Sequence, residues 1–341
     1  MPSIRCRKAS AISNRSAGNS NVWPPVKAPL NRRSFLAGAA TTAATLAAAG
    51  CVSPPKAQFP ITDTHTHFYD PTRPQGVPWP GKDDPILYRP VLPAEYRRLA
   101  EPLGITGTVV VEASSWIEDN QWVLDLAARD RFIVGLVGHL NPGQPDFGMQ
   151  LDRFARNPLF RGIRTGLWDA KVEVAKPEFI RDLEQLAERN LALDLLIGPD
   201  QLKTAALVGK KVPGLRIVVD HCANVPIDSR QPPNAWIEGI VACHYQPNIN
   251  LKVSALVEGT GRTDGTAPAS VDYYRRVLDA VWGAFGEDRV LYGSNWPVSA
   301  RFASLATVHQ IVREYFGSKG STAAKKYFHT NAKRIYRFAS P

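Results

Sequence analysis

The chain has 341 residues, 44% hydrophobic and 21% charged, an ordinary globular composition that excludes a collagen-like or wholly disordered polypeptide and a long coiled coil. Its 41 Lys+Arg against 31 Asp+Glu give a formal net charge of +10, but residues 1–51 hold seven basic residues and no acidic one, which leaves 34 against 31 in 52–341. With the excess confined to one end, and no basic stripe interleaved with aromatics, the charge does not indicate a nucleic-acid partner.

The first recognisable segment is Asn31-Arg32-Arg33-Ser34-Phe35-Leu36, followed by an uncharged Ala-rich run to Ala49. A basic stretch, a short apolar stretch and small residues after it form an export signal, too short for a confident membrane span. The paired arginines resemble a twin-arginine signal. Residues 1–51 are therefore expected to be a leader to the periplasm, and 52–57 a linker. Ala48-Ala49-Gly50-Cys51 also resembles a lipoprotein cleavage box, so Cys51 either carries a lipid or leaves with the leader. Membrane contact is expected only through the signal or that lipid. Cys222 and Cys243 either pair or are buried thiols, and their spacing fits no zinc finger.

From residue 58 to 338 a short apolar run, a loop and an amphipathic stretch recur. The expected strands are Phe59–His65, Gly107–Glu112, Phe132–His139, Phe160–Arg164, Leu191–Leu195, Arg216–His221, Asn250–Ser254 and Arg289–Tyr292. Runs such as Thr108-Val109-Val110-Val111 suit strands covered on both faces of a parallel sheet. Helices are expected at Glu118–Arg129, Met149–Arg156, from Pro177, and at Val271–Phe285, Ala303–Tyr315 and Ser321–Arg337. Eight such units match a single-domain (β/α)8 TIM barrel, an α/β fold. An open doubly wound sheet competes, but no glycine-rich dinucleotide fingerprint follows a strand. Two long connections follow strands on the side where barrels carry their sites: the proline-rich Phe68–Pro93, expected to be a stiff wall, and Val257–Ser270, expected to be a mobile lid.

Asp63-Thr64-His65-Thr66-His67 ends the first expected strand. Residues two apart share a face, so His65 and His67 should project together into the barrel mouth, either to share a metal or to polarise a substrate oxygen. His221 closes the sixth strand at the same end. Asp220 should then point away and be structural. His139 ends the third strand and could reach the pocket. His244, His309 and His329 fall in helical stretches, as surface or packing residues.

These motifs, with Gly162-Ile163-Arg164, Lys252-Val253-Ser254 and Tyr292-Gly293-Ser294-Asn295-Trp296-Pro297, resemble the amidohydrolase-related branch of the amidohydrolase superfamily. Within it the chain is most similar to predicted metal-dependent hydrolases that include sugar and dicarboxylate lactonases. The resemblance covers 58–338. It implies a hydrolase that opens a lactone C–O bond, with His65, His67 and His221 holding either one zinc-like divalent ion or, without metal, the ester carbonyl. The final-strand Asp of many relatives is Asn295 here, and an amide has neither charge nor useful basicity. Glu112 is the replacement base or the ion-pair partner of Arg164. Arg164 would hold an anionic group of a cyclic small-molecule substrate, with His139, Lys252, Trp116 and Trp296 as further pocket residues, and Trp79 and Trp168 on the same face. Two readings compete: a metal-dependent decarboxylase of the superfamily, and a non-catalytic binding protein on a decayed hydrolase barrel.

Overall fold

The computed structural model describes residues 59–166 and 174–339. The expected leader 1–51 with Cys51, the linker 52–57 and Trp168 lie outside them. Strands β1 (Ile61–Thr66), β2 (Ile105–Val111), β3 (Ile133–Gly138), β4 (Phe160–Thr165), β5 (Ala192–Leu195), β6 (Arg216–Val219), β7 (Ile249–Val253) and β8 (Val290–Tyr292) all match expected strands, with ends within two residues. They form one sheet in sequence order, each parallel to the next. Helices α1 (Pro93–Ala100), α2 (Glu118–Arg129), α3 (Phe147–Ala155), α4 (Pro177–Glu188), α5 (Leu202–Lys211), α6 (Asn234–His244), α7 (Val271–Phe285) and α8 (Leu305–Ser318) lie between and after the strands. This is a (β/α)8 barrel.

Local chemistry starts and orients these helices. Pro177 opens α4, whose Phe179, Leu183 and Leu186 form one buried stripe. Ser270 and Ser304 cap α7 and α8 by accepting from the backbone N–H of Asp272 and Thr307. Among the described residues no helix is long and apolar enough to cross a membrane. Cys222 and Cys243 are buried free thiols.

Both ends of the barrel are closed by particular contacts. The sheet meets itself at the mouth, where Asn295 N–H donates to His65 O at 2.8 Å and His67 N–H to Trp296 O at 2.9 Å. Asp63 reinforces that seam, accepting from the backbone N–H of His65 (3.0 Å) and Ser294 (2.9 Å) and from Tyr96 Oη of α1. The floor is covered by the C-terminal segment. The single helix expected over Ser321–Arg337 is instead α9 (Ser321–Lys325), a π-turn at Lys326–Thr330 and α10 (Asn331–Tyr336). The wider turn buries three consecutive residues, Tyr327, Phe328 and His329. Ala332, Ile335, Tyr336 and Phe338 then pack against the inward-facing Val109, Val111, Val218 and Leu291.

Candidate active site

The site has two storeys. The lower one is a buried ionic chain. Tyr336 Oη donates to Asp194 of β5 at 2.8 Å. Lys252 Nζ of β7 lies 2.7 Å from Asp194 Oδ2, 3.0 Å from Asp220 Oδ1 and 3.3 Å from His65 Nδ1. None of these side chains reaches solvent. Gly293 makes the crowding possible, since a Cβ there would stand 2.8 Å from His65 Cβ and 3.2 Å from Lys252 Cδ. Burial pulls the Lys252 ammonium down, but Asp194 and Asp220 outweigh it and hold the charge. Burial likewise lifts Asp220, yet Lys252 and His65 prevail and keep it ionised, well below the usual carboxylate range. Asp194 is lifted by burial to about 6 in spite of Lys252. Lys252, expected in the pocket, therefore sits beneath it; its ammonium is spent on two carboxylates.

Asp220 corrects the expectation that it would point away. Alternation along β6 turns it inward with Val218, and the strand stops at Val219. His221 also reaches the interior because the backbone turns left-handed there, with φ of +56°, +49°, +57° and +50° from His221 to Asn224. Such a conformation costs roughly 1–2 kcal/mol per residue. It is held by Trp236 Nε1 donating to Cys222 O and Asn224 Nδ2 to Ile197 O. Ala255 and Asn295, after β7 and β8, are left-handed too, so strain gathers at the mouth.

The upper storey opens into a cavity of about 440 Å³ lined by His67, Trp79, Arg164, His221, Glu258, Asn295 and Arg301 among others. His65 meets His221 at a ring-centroid distance of 4.3 Å and His67 at 5.0 Å. His221 Nδ1 is 2.8 Å from Ser254 Oγ. His67 Nδ1 faces Val111 O at 3.0 Å, and its Nε2 lies 3.1 Å from Asn295 Oδ1. Burial lowers all three imidazoles: His65 well below the ordinary value, His67 to about 3 and His221 to about 4. They are neutral at pH 7, as metal ligands must be.

The donor set for a metal differs from the three histidines expected. His65, Asp220 and His221 bring one ligand atom each within 4.8 Å of one another; both nitrogens of His67 already face other groups. His65 Nε2 and Asp220 Oδ2 are buried with no hydrogen-bond partner, and a ring nitrogen and a carboxylate oxygen are donors that a divalent cation takes.

The other expected residues divide. Glu112 and Arg164 are an ion pair, with Nε donating to Oε1 at 2.9 Å and Nη2 to Glu112 O at 2.7 Å. With His139 they line an adjoining cavity of about 350 Å³. Trp296 is buried between Phe68 and Tyr96, a packing residue of the wall and not a pocket face. Trp116 is 38% exposed and lines neither cavity, because its loop turns it outward to solvent. Trp79 does line the site, edge-on to His67 at 6.0 Å.

Glu258 was missed by sequence reasoning. It lies beyond β7, where Val257–Ser270 was expected to form a mobile lid. The start of that segment is fastened instead, Ile227 N–H donating to Gly259 O at 2.8 Å. A Cβ at residue 259 would stand 2.9 Å from Val225 O, so glycine permits the approach that brings Glu258 over the site. Its Oε1 accepts from Asn295 Nδ2 at 2.9 Å. Burial lifts its carboxyl to about 8. The signals available were a carboxylate close behind the seventh strand and the glycine that follows it.

The family model described as Amidohydrolase matches residues 62–338. The chain is 31% identical over 293 residues to an L-fucono-1,5-lactonase of Burkholderia ambifaria, covering 82% of this chain and 96% of that protein. A second L-fucono-1,5-lactonase, from Burkholderia multivorans, is 24% identical over 82% of this chain and 96% of its own length. Among solved structures, an amidohydrolase from Burkholderia multivorans with bound Zn superposes with a TM-score of 0.74 at 23% identity, over 82% of this chain and 99% of that one. With these matches spanning the barrel and its histidines, the chain belongs to the amidohydrolase family and is a hydrolase.

Proposed function

We propose that this protein hydrolyses a neutral sugar lactone, opening the ring C–O bond by attack of water. The charge balance of the cavity carries this reading: each arginine that lines it has a carboxylate partner, Arg164 with Glu112 and Arg301 with Asp84. With both arginines so compensated, the cavity offers no unpaired guanidinium to a dicarboxylate, which turns the expected anionic substrate into a polyhydroxylated, uncharged one. The names of the two Burkholderia relatives support the same class.

In this reading the lactone lies against Trp79, with its carbonyl toward the histidines. His221, steadied by Ser254, and His67, fixed by Val111 O, orient the ester. The buried Asp220 and Lys252 keep His65 in one position. His65, Asp220 and His221 would hold one zinc-like divalent ion, which when bound supplies Lewis-acid polarisation of the carbonyl. The test uses protein purified without chelator: metal analysis should find about one divalent ion per chain. An indicator assay should show kcat/KM for L-fucono-1,5-lactone at least tenfold above that for a dicarboxylate lactone. The reverse preference would discard the neutral-substrate reading.

We further read residues 1–51 as a leader that delivers the hydrolase to the periplasm, on the strength of Arg32-Arg33 and the Ala-rich run behind them. Fractionation should recover the wild type outside the cytoplasm and the R32K/R33K variant inside it. Equal retention of both would end the idea.

A further inference from the structure

We propose that Glu258 is the catalytic base of this enzyme, a carboxylate from the β7 loop standing in for the one that Asn295 lacks at the end of β8. The proposal rests on the hydrolase reading above and says which side chain handles the proton.

Three observations place it. Glu258 lines the same cavity as His67, His221 and Asn295. Its Oε1 is tied to Asn295 Nδ2 at 2.9 Å, whereas Oε2 is buried with no hydrogen-bond partner. A buried carboxylate oxygen left without a donor is costly in a structural residue, and its lone pairs are uncommitted. Finally, Asn295 joins Glu258 to His67, its other amide atom lying 3.1 Å from Nε2.

The amide also sets the order of protons. Val111 O can only accept, so His67 carries its proton on Nδ1, and neutral Nε2 presents a lone pair. A half-turn of the Asn295 amide gives that lone pair an N–H and turns the oxygen to a protonated Glu258. The orientation found, with NH2 toward Glu258, suits an ionised carboxylate but sets Oδ1 against the Nε2 lone pair at 3.1 Å, so only the turned amide satisfies both neighbours. Asn295 can therefore serve Glu258 in both protonation states, which an aspartate there could not do without charge repulsion. The groups that face Glu258 in the cavity are His67, His221, Arg164 and Arg301, with Tyr274 approaching from α7.

In the step itself, ionised Glu258 takes one proton from water as the water oxygen bonds to the lactone carbonyl carbon. The carbonyl π pair moves to its oxygen. When that pair returns, the ring C–O bond breaks, and the departing alkoxide takes the proton from Glu258. The products are the hydroxyl and the carboxylic acid, which loses its proton to solvent.

Glu258→Gln should lower kcat by 100-fold or more with KM within threefold, the usual range for removing a general base. Glu258→Gln/Asn295→Asp returns the carboxylate to the end of β8 and should recover at least tenfold over the single variant. The melting temperature at pH 8 gives a readout without substrate: Glu258→Gln should match or exceed the wild type, since it removes a poorly solvated carboxyl, whereas loss of a structural strut would lower it. A kcat within threefold of wild type, or a lowered melting temperature, overturns the proposal. A wild type inert to every lactone ends the lactonase reading instead, and the melting temperatures still decide whether Glu258 is a strut.

Discussion

Asp220, buried, and Glu258, partly buried, are carboxylates of one small site, and they behave in opposite ways. Asp220 shares the lower storey with a full positive charge, Lys252 at 3.0 Å, and stays ionised well below the usual range. Glu258, in the upper storey, has neutral hydrogen-bond partners, its own backbone N–H and the Asn295 amide, and is lifted by burial to about 8. Desolvation raises both; the partner decides the outcome. The difference separates a layer whose charges are matched, and which therefore sets geometry, from a group whose charge is unmatched, and which is therefore available for chemistry.

The strongest way to break the comparison is to remove the matching charge. Lys252→Met leaves Asp194 and Asp220 facing each other across an apolar side chain and should destabilise the fold by about 3–5 kcal/mol, the scale of breaking a buried pair from one side; urea unfolding measures it. A loss under about 1 kcal/mol would mean that the ionic chain does not hold the barrel together. The Glu258→Gln series described above is the next test, because it removes the unmatched group while leaving the layer beneath untouched.

A smaller effect sharpens the contrast. Glu258 titrates near 4.5 when unfolded and near 8 when folded, so the folded chain holds a proton that the unfolded chain has released. Its contribution to stability is complete below about pH 4.5 and is lost as pH rises through 8. The buried histidines pull the other way as pH rises toward 6.5, so the signature is a difference: the melting temperature of the wild type should fall relative to that of Glu258→Gln between pH 5 and 8. Parallel slopes in the two proteins would show that Glu258 does not carry the unmatched proton.

Much of the fold was legible because the strands are buried on both faces and so read as unbroken β-branched runs, Thr108–Val111 and Ile217–Val219 among them. The paired His65 and His67 were legible for the same reason, a strand period of two. Asp220 was misread because periodicity assumes a strand that continues, and the chain turns left-handed at His221. Lys252 looked like a pocket residue because sequence places it on the right strand but does not say at what depth. Glu258 was passed over because a Gly/Thr-rich connection reads as loose; what fixes it is contact with Ile227 and Val225 from a different unit of the barrel, which no local pattern contains.

Tyr336, on the last helix, donates to the carboxylate at the foot of the ionic chain. The histidines of β1 leave the ribosome early, yet the bond beneath them is supplied from the far end of the barrel domain. A nascent chain that has not yet exposed residue 336 cannot carry a finished site, since Asp194 and Lys252 lack their floor until that residue is free to fold back. Catalytic competence therefore waits on this closing contact, and a chain shortened to lack α10 should hold its histidines above an unsealed, wettable base.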